Sequence, residues 1–491
     1  MIILLLISKT ERNADMITFL IGLLILAIGG MLYGKICDKI FGPDDRETPA
    51  VRLNDGVDYV PMKKWKNSLI QLLNIAGTGP VLGPIQGILF GPVAFITIPI
   101  GCIIGGAMHD YMSGMISIRH DGEQMPGLVR RFLGNHAYVI YNIFLCILML
   151  LVGAVFVYTP GDLFLTQILN RSGNSSDSVT WIVYGSIFAY YIIATIFPID
   201  KIIGKVYPIF GAILILSAVG VFVGLFLNNY QLDEIWTVGL KNVHPQKLKF
   251  FPTFFVTVAC GIVSGFHSTQ STTISRTITR EKEGRTTFYN MMLVEGFIAM
   301  IWAAAAMGVT NLGLATKDTS ATSVCGIVAN DLLGKVGGII ALIGIIVLPV
   351  TSGDTALRSL RLIVADTFKI DQSSVKKRLM LSSVIFVFVA GILMYSKTNP
   401  KGFDILWRYF AWANQTISIF AFAMIAVYLK DKKKPYFMAL LPGMFYTMVI
   451  FSFILNAKIG FNLSWTLSYG IAGVFTVLYM IFVIKCKKQS E

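Results

Sequence analysis

The chain has 491 residues, of which 55% are hydrophobic and only 14% charged, with a mean hydropathy of +0.69. Soluble domains carry about 25% charged residues, so this composition excludes an ordinary soluble protein and points to an all-α polytopic membrane protein. The net charge of +14 does not call for nucleic acid, because the basic residues border the apolar segments, where they set orientation.

Residues 1–8 are apolar but too short to span, and 9–15 are polar, so 1–15 reads as an N-terminal extension, with translation expected to start at Met16. A window of about 20 apolar residues marks thirteen spans. They are 16–36, 67–90, 93–118, 137–159, 180–198, 204–227, 251–276, 287–313, 335–365, 378–396, 404–429, 435–456 and 465–484. With the 37–66 loop inside, 27 of the 41 Lys and Arg fall on the inner side and 11 on the outer, with Arg358, Arg361 and Arg408 within spans. The positive-inside rule then places the N-terminus outside and the C-terminus in the cytoplasm.

Residues 74–92 form the most unusual stretch, a charge-free run holding three Gly-Pro pairs (Gly79-Pro80, Gly83-Pro84, Gly91-Pro92) together with Asn74, Gly77, Thr78 and Gln86. Proline removes a backbone donor and glycine weakens a helix, so the run is expected to interrupt the second span. Freed backbone groups survive in a bilayer only against protein or a water-filled cavity, which is how discontinuous transporter helices hold a solute near the midplane. A simple kink is the bland alternative. A phosphate-binding loop is excluded, since the glycines miss the G-x-G-x-x-G spacing and no Lys-Ser/Thr follows.

Five spans from residue 67 precede a sixth, 251–276, that must cross in the opposite sense, and it too loses its apolar character halfway. It reads Ser264-Gly-Phe266-His267-Ser268-Thr269-Gln270-Ser271, and Ser264, Ser268, Ser271 and Ser275 fall on one helical face expected to line a cavity. Two interrupted helices at matching places in oppositely oriented units are the inverted-repeat pattern. The expected division is an extension (1–15), a first span with its cytoplasmic loop (16–66), a first repeat (67–227), a second repeat (251–429), and two further spans with a cytoplasmic tail (435–491).

Ionisable groups deep in a span need a partner and a reason. His109 and Asp110 end the 93–118 span, and because adjacent helical residues point about 100° apart they are not expected to face one partner. An imidazole there suits proton coupling. The 335–365 segment is long for one crossing, and Pro349 through Gly353 are expected to break it. Arg358, or freed amides at Ser352 and Gly353, would then receive a carboxylate. Asp354, four residues before Arg358, pairs with it favourably or carries a proton. Glu295 is a weaker candidate. The six cysteines are scattered without a C-x-x-C pattern and read as small buried residues, so neither a metal nor a cofactor is expected.

Five motifs together resemble the carbon starvation protein A family of bacterial inner-membrane transporters. They are Gly-Pro-Asp-Asp-Arg-Glu-Thr-Pro-Ala (42–50), Asn-Ile-Ala-Gly-Thr-Gly-Pro (74–80), His-Asp-Tyr with Ser-Gly (109–114), Ser-Gly-Phe-His-Ser-Thr-Gln-Ser (264–271) and Thr-Ser-Gly-Asp-Thr-Ala-Leu-Arg-Ser (351–359). The resemblance implies a five-plus-five repeat fold of the amino acid, polyamine and organocation transporter type, in a multi-pass cell-membrane protein. It also implies proton-coupled import of pyruvate or peptides when carbon runs short. The chain is shorter than the longest members, with fewer spans after the core. A small carboxylate such as pyruvate is the expected cargo, with peptide or amino-acid uptake as the alternative. A nutrient-sensing receptor is a second alternative, weakened by short cytoplasmic loops. No activated nucleophile or metal-ligand pattern points to an enzyme. The expected partners are a small-molecule substrate, protons and the lipid bilayer.

Overall fold

The computed structural model describes residues 16–56, 58–196, 200–228, 230–241, 243–370 and 374–486. The expected 1–15 extension and the tail past residue 486 lie outside them. The first helix, α1 (Ile17–Phe41), defines two faces of the molecule, named here after its ends. At the Ile17 end the Glu234 carboxylate accepts from the amides of Ile17 (2.6 Å) and Thr18 (2.8 Å), capping orphan donors of the first turn. After α1 come α2 (Lys64–Ile75), α3 (Gly79–Phe90), α4 (Ala94–Arg119), α5 (Met125–Leu133), α6 (Asn135–Ile168), α7 (Ser178–Ile196) and α8 (Asp200–Leu227). The second half holds α9 (Phe250–Thr257), α10 (Gly265–Ile274), α11 (Glu281–Asn311), α12 (Ala321–Thr367), α13 (Val375–Thr398), α14 (Gly402–Asp431), α15 (Phe437–Asn456) and α16 (Trp465–Lys485).

Eleven described helices are long and apolar enough to cross a membrane, twelve if the bent pair α2 and α3 counts as one crossing. The remaining expected span, 251–276, is the pair α9 and α10, too short singly to qualify and separated by residues 258–264. Helices α4, α11 and α14 lie almost wholly inside, whereas α1, α7 and α16 present apolar side chains outward, among them Leu24, Met31, Ile182 and Val474. Such an apolar rim is what a lipid-facing surface requires, because hydrocarbon rewards burial of no such group.

The interhelical contacts fix the direction of each crossing. At the Phe41 face Arg119 donates to the Gly42 carbonyl and lies over the Phe41 ring, so α4 ends there. Glu281, at the start of α11, accepts from Arg119 (2.8 and 3.0 Å) and from the Asp44 amide (2.9 Å). The acidic motif at 42–50 is thus strapped to the α10–α11 connection, with bridges Glu47–Arg280 and Met62–Ile278 continuing the strap. Hydrogen bonds from Arg46 hold the Asp44 carboxyl well below the usual carboxylate range.

The structure departs from the sequence reading on α12. Pro349 through Gly353 lie in continuous helix, and the non-helical residue is Gly334, at φ +69°. A proline near mid-helix removes one hydrogen bond, and packing along α6 and α8 holds the helix through it. No freed amides therefore exist at Ser352 or Gly353 to receive a carboxylate.

Candidate functional site

The first break sits between α2 and α3, whose axes bend by 48°. Ala76 leaves the helical region (φ −88°, ψ 54°), and Pro80 restarts the helix in its first turn, where a missing N–H costs nothing. Thr78 is fully buried, and its hydroxyl has no hydrogen-bond partner. A Cβ placed on Gly77 would meet open space, whereas one on Gly79 would lie 2.5 Å from Cys260. Gly79 is therefore where the first break touches the second.

The second break runs from Val258 to Ser264, turning at Gly261 (φ +93°). Its helix α10 is capped from outside. Asn414, on α14, accepts from the Phe266 amide (2.8 Å) and donates to Ser264 Oγ (2.8 Å), and Gly265 lets the α14 backbone come close. Helix α2 packs on α10, where Gln71 donates to Ser271 (3.2 Å) and Asn67 to the Thr277 carbonyl (3.0 Å). Helix α3 packs on α9 through Gly83 and Gly87 against Thr257 and Val258. The two broken helices consequently run side by side in opposite senses.

Behind the second break lies a cluster of four ionisable side chains drawn from three helices. His267, in the first turn of α10, places Nδ1 3.1 Å from Asp110 Oδ2 and 3.6 Å from Glu295 Oε2. His109 Nδ1 is 2.8 Å from the other Asp110 oxygen. All four are at most 1% exposed. Asp110 is nine residues from the Arg119 end of α4, and Glu295 ten beyond Arg285, so at 1.5 Å per residue both lie roughly 15 Å from the Phe41 face. That is about half the hydrocarbon thickness. Neither Glu295 oxygen accepts a hydrogen bond in normal geometry; its nearest donors are His267 and the Gly261 amide of the break.

His109 and Asp110 do not turn to one outside partner; the His109 imidazole pairs with the neighbouring Asp110 carboxylate, which bridges the two histidines. The serine face of α10 is different from expectation. Ser264, Ser268, Ser271 and Ser275 are buried and bonded to Asn414, Gly265, Gln71 and Ser117, so they pack against protein rather than lining a cavity. The opposite face, with Phe266, Thr269 and Gln270, is half-buried, and there Thr269 donates to the Phe266 carbonyl and Gln270 to the Thr269 hydroxyl.

The remaining predicted residues fall elsewhere. Asn74 is half-buried in the last turn of α2. Gln86 lines a cavity of about 300 Å³ that is walled on the Ile17 face by His244, Thr257, Lys317, Asp404 and Arg408. Asp354 and Arg358 pair at 3.2 Å on α12, beside Tyr191 and Ser382, around a space of about 10 Å³. That volume holds about one water, which leaves no room for a solute at Arg358. Gly353 abuts Tyr191.

Glu295, the weaker candidate in the sequence, joins the cluster, and Asn414 was passed over. The signal for the second was available, since Asn414-Gln415-Thr416 interrupts the middle of the 404–429 span with three polar residues.

A family model described as Carbon starvation protein CstA matches residues 14–167, 161–325 and 316–452. An uncharacterized membrane protein of Haemophilus influenzae is 41% identical over 335 residues, covering 59% of this chain and 90% of that one. The peptide transporter CstA of Bacillus subtilis is 25% identical over 516 residues, 85% of this chain and 86% of its own. The pyruvate/proton symporter BtsT of Escherichia coli is 26% identical over 330 residues, 55% of this chain but only 46% of its own. Among solved structures, an Eremococcus coleocola manganese transporter aligns with a TM-score of 0.57 at 10% identity, covering 88% of this chain and 97% of its own. A Na⁺-coupled sialic acid symporter aligns at 0.51 and 14% identity over 97% of this chain and 99% of its own. At such identities the likeness concerns the fold alone, and it is a multi-pass transporter fold.

Proposed function

Since the chain belongs to the carbon starvation protein CstA family, we propose that it is a secondary active transporter importing a small carboxylate, pyruvate first, together with protons. The observation that carries this reading is the His109–Asp110–His267–Glu295 cluster. One imidazolium balances one carboxylate; the second carboxylate, enclosed at the same depth, has only a further proton to neutralise it. A group of this kind changes its proton count when its surroundings change, and this one touches the break in α9–α10 directly.

In this reading the Phe41 face is cytoplasmic, in keeping with the distribution of Lys and Arg, and residues 67–227 and 251–429 are inverted repeats. The opposed directions of the two broken helices support that division. A proton and a solute enter from the Ile17 face; the proton rests on the cluster while Gly77, Thr78 and the Phe266–Gln270 face of α10 contact the solute. Parting of the strap at Arg119 and Glu281 then opens the inner side. Peptide uptake is the second reading, favoured by the B. subtilis peptide transporter that aligns along most of both chains.

Uptake of labelled pyruvate and of a labelled dipeptide into proteoliposomes, with and without an imposed pH gradient, tests the proposal. Accumulation of pyruvate that collapses with the gradient is the expected result. Accumulation of the dipeptide alone replaces the cargo, and uptake indifferent to the gradient removes proton coupling. Binding without uptake turns the protein into a receptor.

A further inference from the structure

The cavity on the Ile17 face reaches both broken helices, touching Gln86 in α3 and Thr257 at the end of α9. At about 300 Å³ it is the size of a small-ligand site. One wall is Arg408, two turns into α14 and thus within a membrane-spanning segment. This helix is held in place around it, because Trp407 donates to the Thr257 carbonyl (3.0 Å) and Gln415 to that of Phe255.

The guanidinium itself is unsatisfied. Its Nε is shut off from solvent without a hydrogen-bond partner, and among the described residues none of its N–H groups is donated to a protein acceptor and no carboxylate stands within ion-pair distance. Asp404 precedes it by four residues without closing that pair. His244 across the cavity is held neutral, its pKa pushed down to about 4 by burial and by the cations Arg408 and Lys317. A partly buried guanidinium with free N–H groups, facing a polar cavity, is an arrangement completed by a planar oxyanion taken in bidentate fashion.

We propose that Arg408 forms a carboxylate-binding site in the outer vestibule, selecting anionic solutes before they reach the breaks. This rests on the reading that the chain imports a carboxylate, and it moves the anion contact from Arg358 to Arg408. The site takes monocarboxylates, with the carboxylate in the fork of Arg408 and the tail directed to Gln86 and Thr257.

The test is equilibrium binding of labelled pyruvate to the purified full-length protein in nanodiscs at pH 7, beside proteoliposome uptake. Arg408→Gln is expected to weaken binding at least tenfold and to raise the KM of uptake in proportion, and Arg408→Lys to recover part of the loss. On the wild-type protein, acetate and propionate compete with pyruvate and pyruvamide does not, an outcome independent of any variant's folding. Unchanged binding and KM in Arg408→Gln, or competition by pyruvamide equal to that of propionate, overturns the site while leaving transport intact. Arg408-dependent binding without gradient-driven accumulation keeps the site and overturns the transport reading. Wild-type protein that binds no pyruvate overturns the site.

Discussion

Two of the buried acidic centres among the described residues are held by the fold in different ways. Asp354 and Arg358 lie on one helix, four residues apart, each satisfying the other, with room beside them for about one water. Asp110 and Glu295 lie on different helices and share His267, which belongs to a third that begins at a break. The first pair is balanced and moves as one piece. The second is unbalanced and is divided among elements that, in the proposed transport cycle, shift to let a solute pass. What matters for coupling is the number of separate elements that hold the charges, which a linear spacing cannot show.

The sharpest way to break this contrast is Glu295→Gln. At one proton per solute a gradient of two pH units permits about 100-fold accumulation, since each unit is a factor of ten. The variant is expected to accumulate nothing while still exchanging labelled for unlabelled solute across the membrane. Full accumulation by the variant would strip Glu295 of any part in coupling. Next in size is a comparison within the first break. Gly79→Ala pushes a methyl against Cys260 and is expected to cost about 1–3 kcal/mol, as overpacking does, whereas Gly77→Ala opens into free space and stays within about 0.5 kcal/mol. Thermal unfolding in detergent separates the two, and Cys260→Gly added to Gly79→Ala is expected to restore most of the loss. Equal unfolding temperatures for the two alanine variants would mean that the breaks do not meet at Gly79.

The breaks and the spans were legible because they follow from backbone chemistry that composition reports directly. Both expected breaks exist but are displaced: the first falls at Ala76–Thr78, with Gly79-Pro80 opening the next helix and Gly83-Pro84 inside it, and the second falls at Val258–Ser264, just before the polar run, which is itself helical. The reasoning failed at Pro349, where the same local rule was overridden by packing along α6 and α8. It also failed at the serine face of α10, because polarity marks a surface that needs hydrogen bonds and does not say whether water or protein supplies them. Arg408 was visible as a charge in a span, but the role proposed for it depends on a cavity assembled from five segments distant in the chain.

A smaller effect is expected at the balanced centre. Asp354→Asn removes a pair whose acid is buried and whose base is partly exposed (side-chain exposures of 5% and 27%), at a cost of about 1 kcal/mol, and should leave gradient-driven accumulation within about threefold of wild type. Loss of accumulation in a protein of normal unfolding temperature would restore Asp354 as a proton carrier and erase the contrast between the two centres.

The smallest effect concerns His244, the histidine of the vestibule, and it separates acid sensitivity of the fold from acid sensitivity of transport. Its ring lies against Phe90 (4.5 Å between centroids), and burial together with Arg408 and Lys317 lowers its pKa to about 4 from an ordinary 6.5. Between those values the unfolded chain binds a proton that the folded one refuses, so this group lowers stability as the pH falls from 6.5 toward 4 and contributes no change above 6.5. His244→Gln deletes that part of the acid response, and its unfolding temperature is expected to fall less between pH 7 and pH 4.5 than that of the wild type. Over pH 5 to 7 folded His244 stays neutral, so the pH profile of uptake should be the same in the variant within about twofold, the titration of transport residing in the His267 cluster. A variant whose uptake no longer rises with acid outside would place the proton's entry in the vestibule, and with it the coupling, away from Asp110 and Glu295.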